Sequence, residues 1–216
     1  ICFAFIVNYF LCCKLTIFAD ITIKCFFFVK IFMMKRLLSK LLFKLNGWKV
    51  IGPHTYPNKC MVITAPHTSN WDFFIGRCYA YIIGIHPQYL IKSELFLPVL
   101  GTLLKWNGGI AVYRKAKHNV VEQVVEMINN STDINIGIAP EGTRTRVEKW
   151  KTGFYHIAVK ANVPILLLKM DYEKKEIGIM CDFMPCGDFE KDMLFIQEQY
   201  KGLKGKIPEN YNPKIF

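Results

Sequence analysis

A histidine followed five residues later by an aspartate, within Pro66-His67-Thr68-Ser69-Asn70-Trp71-Asp72, pairs a base with a carboxylate able to orient it. Inside one regular helix, five residues turn the chain through roughly 500°, which puts the two side chains on different faces. They meet only if His67 precedes a helix and Asp72 lies in its first turn, with Ser69 or Asn70 as the N-cap. The same seven residues also fit a capped helix with a hydrogen-bonded structural histidine, so the pair alone does not establish catalysis.

Three further polar clusters each follow a short apolar run: Lys92-Ser93-Glu94, Arg114 after Gly109-Ile110-Ala111-Val112-Tyr113, and Glu141-Gly142-Thr143-Arg144. The last continues to Arg146 and offers guanidinium groups, hydroxyls and a glycine that lets backbone approach a ligand. With Arg114 and Arg144, this is chemistry suited to a phosphate, which guanidinium binds in bidentate fashion. Lys92 fits either a phosphate contact or a partner for Glu94.

The elements that must position these residues alternate. Apolar runs at 60–65, 88–91, 109–113, 134–139, 163–170 and 177–183 read as strands, and helical spacing fills 72–85, 94–105, 117–129, 153–161 and 189–201. Such alternation predicts an α/β fold, a single domain with a largely parallel mixed sheet flanked by helices. The last two strands are candidates for an antiparallel pair. In a parallel sheet the carboxyl ends share one edge, so the four clusters would converge on one crevice.

The chain has 216 residues, 52% hydrophobic with 17 Phe, and a net charge of +11. That length suits one domain with a proper core, and the charge favours an anionic partner. The eight cysteines form no CxxC pair and no zinc-spaced cluster with histidine, which indicates neither a metal nor a disulfide framework. Residues 1–33 form an apolar extension, read either as membrane-associated or as lying upstream of a natural start at Met33 or Met34. Over 34–52 the spacing predicts a basic amphipathic helix, with apolar residues at 34, 37, 38, 41, 42, 45 and 48 and Lys35, Arg36, Lys40, Lys44 and Lys49 between them. Such a helix suits a membrane interface, with a helix packed on its own domain as the alternative. The remainder, 53–216, is the domain carrying the clusters.

These blocks resemble the 1-acyl-glycerol-3-phosphate acyltransferases and the wider glycerophospholipid acyltransferase superfamily. The resemblance rests on His67-x4-Asp72, Lys92-x-Glu94-Leu95 through Pro98 to Gly109 and Arg114, Glu141-Gly142-Thr143-Arg144, and Val163-Pro164-Ile165, in that order across roughly 45–185. The chain departs from the pattern at Pro66 (commonly Asn), Ala139 (commonly aromatic) and Tyr113 (often acidic or amidic). The resemblance implies transfer of a fatty acyl group from acyl-CoA or acyl-carrier protein to a glycerolipid hydroxyl, with no further cofactor and no metal. It implies His67 and Asp72 as catalytic residues, and Arg114, Glu141, Gly142, Thr143, Arg144 and Lys92 as substrate contacts. The expected acceptor is lysophosphatidate, with glycerol 3-phosphate or a lyso-aminolipid as alternatives. The expected partners are the membrane bilayer, the lysophospholipid and acyl thioester, and acyl-carrier protein if it is the donor. The expected location is the cytoplasmic face of the membrane, peripheral or monotopic. A nucleic-acid partner would account for the charge but not for the four blocks, and no nucleic-acid-binding motif is visible. A non-catalytic lipid-binding module shares the fold but has no use for an intact His67 and Asp72.

Overall fold

The computed structural model describes residues 32–53, 55–113 and 119–216; the apolar extension through residue 31, His54 and Arg114–His118 lie outside the described residues. Helix α1 (32–46) leads through a turn at Gly47 into strand β1 (Lys49–Ile51). There follow β2 (Lys59–Ala65), α2 (Asn70–Ile83), β3 (Gln88–Lys92), α3 (Pro98–Trp106), β4 (Gly109–Val112), α4 (Val120–Asn130) and β5 (Ile134–Ile138). The chain ends with α5 (Gly153–Ala161), β6 (Ile165–Asp171), β7 (Glu176–Phe183), α6 (Phe189–Tyr200) and a tail that returns over the sheet edge.

Among the described residues, seven strands form one sheet in the order β1-β7-β6-β2-β5-β3-β4. From β6 through β4 all neighbours are parallel, whereas β7 runs antiparallel to β6 and carries β1 beside it. The expected strands are all present, and the last two pair antiparallel across a four-residue connection too short for a parallel crossover. Strand β1 falls inside the segment expected to be helical. The helix stops at residue 46, and Lys49, Val50 and Ile51 pair with Glu176, Ile177 and Gly178 instead. Gly52, with φ +74, permits this: a Cβ there would lie 2.0 Å from the Ile179 carbonyl oxygen.

Strict alternation divides the buried residues between two faces. Met61, Ile63 and Ala65 of β2 join Ile165 and Leu167 of β6 under α4, α5 and α6. Cys60, Val62, Leu166, Leu168 and Met170 face the other way, against Phe43 of α1 and Cys78 and Tyr79 of α2. Burying each of these aliphatic side chains contributes roughly 1.5–3 kcal/mol. Because both sheet faces are covered, the central strands read as continuous apolar runs, as parallel strands do.

The central strand β2 feeds a connection toward β3, while its neighbour β5 feeds one toward β6 on the opposite side. One loop enters α2 on one face of the sheet and the other enters α5 on the opposite face, and open α/β sheets place ligands where carboxyl-end loops part in this way.

Candidate active site

His67 lies two residues beyond the end of β2, after Pro66, on the loop that enters α2. Ser69 is the N-cap of α2, in extended conformation, with its side chain accepting from the Trp71 N–H. Asp72 is the third residue of that helix and completes a capping box. Its Oδ2 accepts from the backbone N–H groups of Thr68 at 2.7 Å and Ser69 at 2.8 Å, and lies 3.1 Å from His67 Nδ1. The five-residue spacing is thus resolved as geometry requires: one carboxylate caps the helix and orients the imidazole before it.

The pair is asymmetrically exposed. The Asp72 side chain is 1% exposed and that of His67 23%. Burial alone would raise the Asp72 pKa, but hydrogen bonds from His67, from the Tyr172 hydroxyl and from the Ser69 amide outweigh it and hold the carboxyl below its usual range. With Nδ1 committed to Asp72, the imidazole is left with Nε2 as its available acceptor. That is the arrangement of a general base whose tautomer is held by a buried carboxylate.

Glu141 comes from the loop after β5, the neighbour of β2. Its carboxyl is buried and its Oε1 accepts the backbone N–H of His67 at 2.9 Å. Burial pushes its pKa up to about 7, against the lowering effect of the backbone amides and of His67. Glu141 thus braces the histidine loop from the neighbouring strand.

Gly142 follows with φ +66, and a Cβ there would meet Lys151 Nζ at 2.5 Å, so the lysine lies directly over the turn. Thr143 and Thr145 hydroxyls lie 3.1 Å apart. The exposed Arg144 donates from Nη1 to Asn70 Oδ1 at the start of α2, which places its guanidinium beside the dyad. Arg146 instead donates to the Tyr211 carbonyl at 2.9 Å and anchors the tail. Lys92 stands exposed at the end of β3, two strands from β2 on the same edge. Arg114 lies outside the described residues; the preceding Tyr113 is gripped through both backbone polar groups by the Gln123 side chain.

Two groups at the site escape sequence reasoning. Tyr172, immediately after β6, donates its hydroxyl to Asp72 Oδ1 at 2.7 Å. It also follows a strand's carboxyl end, so the edge argument applied to the four clusters extends to it. The second is the tail. Gly205 sits so close to Thr68 that a Cβ would approach its side chain to 2.6 Å, and the Ile207 N–H donates to Thr68 Oγ1. Lys206 then places its ammonium 4.6 Å from the centre of the Trp71 ring. No sequence pattern marks that return. Arg144, Lys151 and Lys206 make the surroundings of the dyad strongly basic.

The acyltransferase family model matches residues 47–169, more than half of the chain. The chain belongs to this acyltransferase family. It is 34% identical to the 1-acyl-sn-glycerol-3-phosphate acyltransferase of Escherichia coli over 143 residues, covering 63% of this chain and 56% of that one. It is 36% identical to the Haemophilus influenzae enzyme of the same name over 81 residues, covering 35% of this chain and 33% of that one. A mouse 1-acyl-sn-glycerol-3-phosphate acyltransferase alpha is 29% identical over 140 residues, covering 59% and 48% of the two chains. The matches thus span about half or less of these relatives' lengths. The fold matches the crystal structure of a 1-acyl-sn-glycerophosphate acyltransferase from Thermotoga maritima, with a TM-score of 0.56, 18% identity, and coverage of 79% of this chain and 76% of that one. The match to the family model begins at residue 47 and takes in β1 through most of β6, so both the dyad and the Glu141 loop lie inside it.

Proposed function

We propose that this acyltransferase-family chain transfers a fatty acyl group from a thioester, acyl-CoA or acyl-carrier protein, to the free hydroxyl of lysophosphatidate at the cytoplasmic face of a membrane. The observation that carries the reading is the His67–Asp72 pair: an imidazole fixed at Nδ1 by a buried, low-pKa carboxylate, beside an exposed arginine and two lysines. His67 Nε2 takes the acceptor's proton as its oxygen attacks the thioester carbonyl. The ester C–O bond forms, the C–S bond breaks, and the imidazolium returns the proton to the departing thiolate. Asp72 stabilises the imidazolium in between. No covalent acyl-enzyme is required. Arg144 and Arg114 supply the charge for the acceptor's phosphate, with Gly142, Thr143, Lys151 and Lys92 along the same edge.

The membrane part of the reading rests on exposed apolar surface. Leu42 and Phe43 of α1 pack on the domain, whereas Met34, Leu37, Leu38, Leu41 and Leu45 point outward with exposures from 53% to 72%. That stripe is not used by the domain's own core, which favours an interfacial helix over a packed one. Leu97, Val99, Leu103 and Trp106 around α3 are also exposed, and Lys35 of α1 sits 4.2 Å from the Trp106 ring centre, joining the two helices. Among the described residues no helix is long and apolar enough to cross a membrane.

The test is thiol release from acyl-CoA, and from acyl-carrier protein as donor, with and without lysophosphatidate, in wild type and His67→Ala. Release that requires lysophosphatidate, yields phosphatidate and vanishes in a folded His67→Ala supports the reading. Release with glycerol 3-phosphate or a lyso-aminolipid only would move the acceptor. Full activity in His67→Ala would refute the mechanism.

A further inference from the structure

Asp72 has two carboxylate oxygens with different environments. Oδ2 is shared by His67 and the two amides of its own capping box, all within a six-residue stretch. Oδ1 takes its hydrogen bond from Tyr172, a hundred residues away in sequence. A buried carboxylate held only on one oxygen can swing about the Cβ–Cγ bond, and any swing changes the direction in which it accepts the imidazole N–H. A donor on the second oxygen removes that freedom.

Tyr172 is itself tightly placed. It is the first residue of the connection between β6 and β7, a turn in which Asp171 Oδ1 accepts the N–H groups of Glu173 at 3.0 Å and Lys174 at 3.3 Å. Its own N–H donates to the Lys204 carbonyl of the returning tail at 2.9 Å. Its ring meets Trp48 edge-on, with centres 5.0 Å apart, and Trp48 leads from α1 into β1. The hydroxyl therefore arrives at Asp72 from a rigid turn, held by sheet, tail and aromatic packing at once. Burial and the carboxylate beside it both push the Tyr172 pKa upward, so it remains a neutral donor at any working pH.

We propose that Tyr172 is a positioning residue for acyl transfer, acting through Asp72 to keep the His67 imidazole aligned; this rests on His67 being the general base. It touches neither substrate nor the reacting atoms. The arrangement is a relay of orientation, Trp48 to Tyr172 to Asp72 to His67, in which only the last member handles a proton.

The experiment is a double-mutant cycle between Tyr172→Phe and Asp72→Asn, read in kcat and KM by thiol release. Phenylalanine keeps the ring against Trp48 and removes only the hydroxyl. The expected result is a kcat lowered about tenfold with KM for lysophosphatidate unchanged, the scale of one lost hydrogen bond to a charged group. In the Asp72→Asn background the same change should cost less than about twofold, because there is no longer a carboxylate to align. A Tyr172→Phe enzyme within twofold of wild type overturns the proposal. So does an equal loss in both backgrounds, which marks a merely structural tyrosine, or a loss that falls in KM. If Tyr172→Phe does not fold, 3-fluorotyrosine at position 172 keeps ring and hydroxyl but makes a stronger donor. An unchanged kcat there overturns the proposal equally. Wild type inactive with every donor and acceptor would instead remove the underlying acyltransferase reading.

Discussion

Replacing Glu141 with glutamine tests whether a buried acid braces the histidine loop. The residue is 4% exposed, its Oε1 holds the His67 N–H, and its Oε2 is buried without a hydrogen-bond partner among the described residues. Burial raises its pKa from 4.5 to about 7. A carboxyl with a raised pKa favours folding while protonated, so its contribution is fully present below pH 4.5 and is lost as pH rises through about 7. At about 1.4 kcal/mol per pH unit, the rise from 4.5 to about 7 corresponds to about 3 kcal/mol across that window. Glutamine keeps the acceptor for His67 but cannot ionise. Denaturant unfolding of wild type and Glu141→Gln at half-unit steps from pH 4.5 to 8.5 measures the difference directly. Wild type should lose up to about 3 kcal/mol relative to the variant between the two limits and run parallel to it above pH 8. Taking the difference cancels titration of groups common to both proteins. Parallel curves throughout would mean that Glu141 ionises normally, and the account of a buried, neutral brace would fall.

Three other outcomes follow from the structure. Arg144→Ala should raise KM about tenfold for a phosphorylated acceptor while leaving kcat within a few-fold, since it removes a charged contact beside the dyad rather than a proton-handling group; unchanged KM would remove Arg144 from phosphate binding. Gly52→Ala should cost about 2 kcal/mol in thermal unfolding, because the added Cβ meets backbone 2.0 Å away at a positive φ; an unshifted midpoint would show that β1 does not need that close approach. Leu37→Glu with Leu41→Glu should cut co-sedimentation with anionic vesicles at least tenfold and leave the melting temperature unchanged, as both side chains are over half exposed. Equal binding by the double variant would place the membrane contact elsewhere.

The sequence by itself determined the α/β class, the sequence positions of six strands and the presence of the dyad. It did so because local physics suffices there. Parallel strands buried on both faces are continuous apolar runs, and His67, Ser69 and Asp72 lie within one loop and one helical turn, so caps and spacing dictate how they meet. Strand β1 was hidden because its three residues continue the alternation of α1, and only the edge of β7, 127 positions on in the paired register, makes them a strand. The apolar residues of α1 looked like one face; packing divided them into a half-buried Leu42 beside the buried Phe43, and an exposed stripe.

What tertiary structure alone decided is the division of labour around the dyad. Glu141 has the residue type of a ligand contact, yet strand order puts β5 beside β2 and turns its carboxyl toward the His67 backbone. Arg144 and Arg146 are two residues apart in one basic turn, but one reaches Asn70 at the site and the other ties down the tail. Tyr172 and Gly205 reach the histidine loop from beyond its own helix, by contacts that span 100 and 137 positions of chain respectively. Such pairings leave no periodic trace, because they depend on where the sheet brings distant carboxyl ends together and not on the spacing of residues along the chain.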